Sequence, residues 1–181
     1  MAGVALSPRS RSGRTALVMA LHLAFAMTAG EVRAQPVRAQ LAADSRSVTL
    51  YPGERVVLRL AADGGLTLVS AVQADPASAL PPKPGPRSKD APLPDGAEPD
   101  TLALTLGGDG AQAGLKLDSG LSQALDYRAV LRVEGGERPG SVCTVLPLLA
   151  SYEVWPYAIA SVTLSGFATR ATNEVVCDPP K

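Results

Sequence analysis

The chain has 181 residues, with 17 Lys and Arg, 17 Asp and Glu and a single His, so its formal net charge is zero. Hydrophobic residues make up 46% of the chain, which is enough to build a packed core. Nucleic-acid binding needs a clustered basic face, and the sequence contains no such cluster. The charge pattern therefore excludes a nucleic-acid-binding protein.

The beginning of the chain has the pattern of a signal peptide. Three arginines between residues 9 and 14 precede an apolar run over 16–29 that is too short to span a bilayer as an ordinary helix. The rest of the chain has no apolar run long enough for a membrane span. We therefore predict a signal peptide over 1–34 and an exported domain over 35–181, periplasmic or secreted, without a transmembrane segment.

Two cleavage sites fit the sequence. Residues 32–34 place Val and Ala at the −3 and −1 positions before Gln35. The same letters recur over 37–39 before Gln40, so a second site stays open. The first site is preferred because it lies closer to the apolar run. Neither site is followed by a cysteine, which argues against a lipid anchor.

Cleavage before Gln35 changes the chemistry that the chain can perform. It removes four of the 17 basic residues and one of the 17 acidic ones, which leaves 13 and 16 and a net charge of −3. It also removes His22, the single histidine. A mature chain without imidazole cannot run a Ser-His-Asp or Cys-His mechanism. Two cysteines alone are too few for a structural zinc site, so we predict no metal, no cofactor and no enzyme.

A hydrolase that uses only carboxylates stays open as an alternative. It would need two acidic residues that converge in a cleft. The candidates are placed by their patterns in turns or on outward positions of strands: Asp109, Asp118, Asp126, Glu134, Glu137, Glu153 and Glu174.

Alternating apolar and polar residues predict β-strands along the first half of the domain. Val48 and Leu50 precede a Pro-Gly turn, and the run 55–60 follows it, which indicates either a hairpin or a crossover between sheets. A third strand is predicted over 66–72. Residues 75–100 then break the pattern with seven prolines from 81 to 99, which predicts a long Pro-rich loop because proline cannot donate to a ladder.

The second half of the domain continues as strands. Thr101–Leu106 alternates cleanly, and residues 114–117 predict a short strand. The run 121–149 predicts two long strands joined by a Gly/Pro turn, with Leu125, Tyr127, Ala129 and Leu131 on one face and Ser141–Leu149 as the returning strand. A last strand is predicted over Ile159–Phe167, and residues 174–177 predict a final short one.

The segment from Leu121 to Ala129 resembles the tyrosine corner that leads into strand F of immunoglobulin-like sandwiches. The resemblance implies that the Tyr127 hydroxyl donates to backbone a few residues upstream. It implies a two-sheet sandwich over about residues 48–149 and no activity. Antibody-type domains have a cysteine where this chain has Ala129, and their partner cysteine and core tryptophan are absent from the early strands.

Cys143 and Cys177 form an even pair in an exported chain, which predicts a disulfide. The bridge would tie a C-terminal extension, residues 150–181, back to the returning strand. A redox-active pair is the alternative. It is disfavoured because the C-x-x-C spacing is missing and nothing nearby lowers a thiol pKa.

Tyr152, Trp155 and Tyr157 form the best candidate for a binding surface. Aromatic side chains beside a proline can present flat faces to sugars, peptides or proteins. The pattern favours a structural role for Trp155 over this binding role: with few aromatic residues, the core is mostly Leu, Val and Ala, and a lone tryptophan caps one end of the sandwich.

The sequence predicts an all-β protein: an immunoglobulin-like two-sheet sandwich of about seven to nine strands, with a long Pro-rich loop and one disulfide. Its expected role is non-catalytic binding or structure in the cell envelope, with an unknown protein or glycan as partner. An assembly or chaperone-like subunit is a further alternative, which would need an open apolar strand edge that accepts a partner strand.

Overall fold

The computed structural model describes residues 36–81 and 98–178. The predicted signal peptide and the middle of the predicted Pro-rich loop, 82–97, lie outside the described residues. Residues 75–81 and 98–100 of that loop are described.

The described residues form ten β-strands and one short 3-10 helix, Pro76–Ala79. The strands in chain order are β1 (Gln40–Leu41), β2 (Ser47–Leu50), β3 (Glu54–Leu60), β4 (Leu66–Gln73), β5 (Thr101–Gly108), β6 (Ala113–Ser119), β7 (Ala124–Val133), β8 (Gly136–Gly140), β9 (Ala150–Trp155) and β10 (Ser161–Arg170).

The strands form two antiparallel sheets of five strands each. The first sheet has the order β1-β2-β10-β7-β8, and the second has the order β4-β3-β5-β6-β9. Both sheets bury one face against a shared core, so the predicted all-β two-sheet sandwich is confirmed. No comparison tests the immunoglobulin-like resemblance, which stays a prediction.

The core follows from the period-two patterning of the strands. On β7 the predicted inward residues Leu125, Tyr127, Ala129 and Leu131 are all buried, while Val130 between them is exposed. The other large apolar side chains that are fully buried come from both sheets: Leu50, Leu58, Leu102, Leu104, Leu106, Leu115, Leu117 and Leu164.

The Pro-Gly turn between β2 and β3 makes a crossover rather than a hairpin. β2 pairs with β10 in the first sheet, whereas β3 pairs with β4 and β5 in the second. Gly53 has φ +83°, a conformation that glycine adopts without steric cost. Its N–H donates to the Leu106 carbonyl oxygen at 2.8 Å. The turn therefore passes the chain from one sheet to the other.

The predicted returning strand at Ser141–Leu149 is wrong. The strand that pairs with β7 is the shorter β8, which ends at Gly140. The segment 141–149 leaves the sheet and closes one side of the sandwich, where Val142 and Val145 are buried. Val145 and Leu125 exchange two backbone hydrogen bonds of 2.8 and 2.9 Å. The apolar pattern reflects this burial between the sheets and not a regular ladder.

The C-terminal extension is shorter than predicted. β9 belongs to the second sheet, and β10 lies between β2 and β7 at the centre of the first. The segment that the disulfide ties back is therefore 171–178. The short strand predicted over 174–177 is reduced to a single bridge between Cys177 and Cys143.

The 3-10 helix packs on the outer face of the second sheet. A Cβ added at Gly107 of β5 would lie 2.0 Å from the Pro76 carbonyl oxygen, and one at Gly114 of β6 would lie 2.6 Å from that of Ala79. Only glycine allows backbone to approach this closely. The two glycines therefore let the start of the Pro-rich loop lie against the sheet.

Candidate functional site

β4 is an uncharged strand at the edge of the second sheet. It reads LTLVSAVQ and pairs with β3 on one side, and no described strand pairs with its other side. Leu68, Val69 and Val72 are 43%, 47% and 50% exposed. An exposed apolar edge is a template for pairing with another chain. We call the unpaired side of this strand the β4 edge.

The other three sheet edges carry features that block such pairing. β1 has only two residues. β8 contains Pro139 and the charged side chains of Glu137 and Arg138; proline and charge both protect an edge. β9 contains Glu153, whose charged side chain points into the core; an inward-pointing charge also protects an edge. Among the described strands, β4 is therefore the one whose edge is long, apolar and open.

The hydrogen bonds at the start of β4 show which backbone groups face outward. In the turn before β4, the Ala61 N–H donates to the Gly65 carbonyl oxygen at 2.8 Å. In an antiparallel pair, outward and inward backbone groups then alternate along the strand. The Leu66 N–H accordingly points away from β3 and donates to Ser45 at 2.7 Å. Two residues on, the backbone N–H and C=O of Leu68 also point outward, onto the open edge.

The same alternation, counted from the other end of β4, identifies a second outward position. The Ala74 N–H donates to the Gly53 carbonyl oxygen at 2.8 Å, which places the backbone groups of Ala71 on the open edge. The step from Leu68 to Ala71 is three residues because the register shifts there. Val69 is the extra residue of a β-bulge.

The side chain of Leu68 is exposed although it lies on the inward face of β4. Leu68 is paired with Leu58, whose side chain is fully buried, so both point towards the core side of the sheet. Leu68 is nevertheless 43% exposed, and Val72 on the outer face of β4 is 50% exposed. The β4 edge therefore presents apolar side chains on both faces of the sheet.

The predicted aromatic surface is not assembled as one face. Trp155 is 3% exposed and belongs to the core, and its indole N–H donates to the Ser141 carbonyl oxygen at 3.2 Å. Tyr152 lies on the opposite, outer side of β9, in register with Lys116. Tyr157 is half-buried, with the Arg138 guanidinium 5.0 Å from its ring centroid. The binding role of Tyr152 and Tyr157 stays a prediction, and Trp155 is enclosed.

The predicted disulfide between Cys143 and Cys177 is confirmed, with the two sulfurs 2.03 Å apart. Hydrogen bonds reinforce the tail on both sides of the bridge. The Asp178 N–H donates to the Val142 carbonyl oxygen at 2.7 Å, and the Thr144 N–H donates to that of Val176 at 2.8 Å. The bridge therefore fixes the tail to the segment that closes the sandwich.

A partly buried ion pair fixes the tail a second time. The Arg170 guanidinium donates to the Asp126 carboxylate at 2.7 Å, and the Thr144 hydroxyl donates to the other Asp126 oxygen at 2.6 Å. Thr144 also lies 3.1 Å from the Val176 carbonyl oxygen. The end of β10, the tail and the closing segment thus share one polar network.

Glu153 is buried in the core beside the disulfide, at 8% exposure. Its Oε1 accepts the Cys143 N–H at 2.8 Å and the Tyr127 hydroxyl at 3.3 Å. Burial raises the pKa of Glu153 and the nearby Asp178 charge adds to it, while the two hydrogen bonds lower it. Burial, together with the Glu153 charge, also raises the pKa of Tyr127.

Two expectations from the sequence are wrong at this point. The Tyr127 hydroxyl binds a side chain of the opposite sheet and not the upstream backbone that a tyrosine corner uses. The acidic candidates do not all point outward either. Glu153 points into the core. Asp118 does lie on the outer face of the second sheet, but it is only 2% exposed, and Lys116 Nζ lies 3.0 Å from its carboxylate. The sequence analysis expects Glu153 on the surface because charged side chains are normally solvated, whereas two donors hold its carboxylate in the core.

One oxygen of the Glu153 carboxylate accepts two hydrogen bonds within the protein, which gives this carboxylate a structural role. Asp109, in the Gly-rich turn after β5, accepts the N–H groups of Ala111 and Gln112 at 3.0 Å each. These hydrogen bonds lower the pKa of Asp109. They are the bonds that an aspartate makes to stabilise a turn. Within residues 36–81 and 98–178, no group of three or more His, Cys, Asp or Glu is placed to hold a metal ion.

Comparison with known proteins finds no match to this chain. No protein-family model, no curated protein and no solved structure matches this chain. In the part of the chain that is described, no helix is both long and apolar enough to cross a membrane.

Proposed function

We propose that the chain is an exported, non-catalytic protein of the cell envelope that binds by adding an extended strand to its β4 edge. The observation that carries the proposal is the uncharged β4, with three exposed large apolar side chains and the outward backbone groups of Leu68 and Ala71. Backbone hydrogen bonds would supply affinity, and the apolar side chains would supply selectivity.

Several features support this role. The first 34 residues have the pattern of a signal peptide, and a disulfide between Cys143 and Cys177 suits an oxidising compartment outside the cytoplasm. Trp155 is enclosed and Glu153 is engaged by its neighbours, which favours the strand edge over the aromatic surface and over carboxylate chemistry. Strand addition corresponds to the alternative of an assembly or chaperone-like subunit that the sequence left open.

Site-specific photo-crosslinking in cells that produce the protein tests the proposal. A photoreactive phenylalanine replaces Val72, which is 50% exposed on β4, or Val154, which is 42% exposed on β9. We expect a covalent adduct from position 72 in the envelope fraction and none from position 154. We also expect the adduct to disappear when Ala71→Pro removes an outward N–H.

The two positions are matched in residue type and exposure, so Val154 controls for random collisions. Equal adducts from both positions, or none from position 72, would contradict binding at the β4 edge. Recovery of the protein from the cytoplasm with residues 1–34 still attached would contradict export.

A further inference from the structure

The outward backbone positions of β4 are symmetric along the strand. Because of the bulge at Val69, Leu68 and Ala71 lie at equal distances from the peptide bond between Val69 and Ser70. A twofold axis through that bond would run a second β4 antiparallel to the first. It would set Leu68 of each copy opposite Ala71 of the other. Each such pair exchanges two N–H···O=C hydrogen bonds.

The side chains also suit pairing of two identical strands. The inward-facing Leu68 of one copy, which is 43% exposed, would meet the small Ala71 of the other. β4 contains no charged residue, so two copies meet without the like-charge repulsion that opposes identical strands. The bulge of one strand lies opposite the bulge of the other, so both strands carry the same number of residues between their paired positions.

We infer that the strand which the β4 edge accepts is β4 of a second copy of this chain, paired antiparallel about a twofold axis. This inference rests on the proposed function and names its partner. The two second sheets would join into one continuous sheet, and the contact is isologous, so it closes at a dimer. One strand pair buries less than the roughly 1,200 Å² of stable complexes, so we expect a dissociation constant on the order of 100 μM.

Sedimentation velocity of the signal-processed protein, from about 10 μM to 1 mM to bracket that constant, tests the inference. The wild type is expected to shift from monomer to dimer over this range. Ala71→Pro removes an outward N–H of β4 and leaves the ladder with β3 intact, since proline is tolerated where the N–H faces away from the sheet. We expect it to weaken the dimer at least about tenfold, because each copy loses one intermolecular hydrogen bond.

Two further variants keep the test sharp. Val72→Thr retains the backbone groups and is expected to dimerise like the wild type. Leu68→Lys places a charge at the pairing position, as natural edge strands do, and is expected to be monomeric. It provides a second test if Ala71→Pro does not fold, which far-ultraviolet circular dichroism checks.

The distance between two spin labels tests the register of the β4–β4 pair. With Leu68 opposite Ala71, position 72 lies opposite position 67 of the other copy. Nitroxide labels at Val72 of the two copies are then five residues apart along the strands, or about 17 Å. A dimer with a clearly different label separation, or an Ala71→Pro variant that dimerises like the wild type, would overturn the inference.

The two proposals fail in different ways. A wild type that stays monomeric to about 1 mM, roughly tenfold above the expected dissociation constant, with a position-72 adduct to another protein, would overturn self-pairing and keep strand addition. Loss of the position-72 adduct in cells together with a monomeric wild type would overturn both.

Discussion

Replacing both Cys143 and Cys177 with alanine is expected to lower the free energy of unfolding by about 3–4 kcal/mol. The two cysteines are 34 residues apart, and closing a loop of this length restricts the unfolded chain. For a domain of this size the loss corresponds to a fall in Tm of roughly 10 °C. Urea unfolding followed by Trp155 emission measures it.

The backbone hydrogen bonds of Asp178 and Thr144 hold the tail independently of the bridge. The double alanine variant should therefore keep the fold, and reductant should lower the stability of the wild type to that of the variant. Reductant should not change the variant itself. A double variant as stable as the oxidised wild type would contradict a stabilising role for the disulfide.

Glu153→Ala is expected to lower the free energy of unfolding by about 4 kcal/mol, because it leaves two buried donors without a partner. The donors are the Cys143 N–H and the Tyr127 hydroxyl. Glu153→Gln keeps an accepting oxygen at the same place, so its cost at low pH should be below about 1 kcal/mol. Tyr127→Phe removes one of the two donors and should fall between the two variants.

The stability that Glu153 contributes should depend on pH in a defined direction. Burial raises the pKa of Glu153 above its ordinary value of 4.5, so the folded protein binds this proton more tightly than the unfolded chain does. The contribution is fully present below about pH 4.5 and is lost as the pH rises through the raised pKa of the folded state.

A comparison of Tm between the wild type and Glu153→Gln from pH 4 to pH 7, a range of about three units that spans this window, measures the effect. The glutamine variant should gain stability relative to the wild type as the pH rises. Glu134→Gln, at an exposed turn position, is the control and should show no such gain. A wild type that gains stability relative to Glu153→Gln over the same range would contradict a raised pKa.

The alternation of apolar and polar residues predicted strands correctly where one face of the strand is buried and the other is exposed. The alternation at Leu125 and Tyr127 identified both the strand and its buried face, because a side-chain period of two admits a single inward set. It failed at Ser141–Leu149, where apolar residues are buried by closing the side of the sandwich without forming a ladder. Composition alone cannot distinguish these two kinds of burial.

The β4 strand was predicted from its sequence, but its position at an open edge was not. LTLVSAVQ has the composition of a buried strand, and its lack of charge was the signal that could have raised the question of a partner. Glu153 was missed for the converse reason: a charged residue was assigned to the surface, although two donors from distant segments satisfy it in the core.

The sequence by itself determined the all-β class, the buried face of β7 and the pairing of Cys143 with Cys177, because these depend on period-two patterning and on a pair of cysteines with one possible partner each. The tertiary structure alone decided which strand lies at an edge, which aromatic ring is enclosed and where Glu153 finds its donors. Those properties depend on the order of strands in each sheet, which brings together residues far apart in the chain, and no local pattern encodes that order.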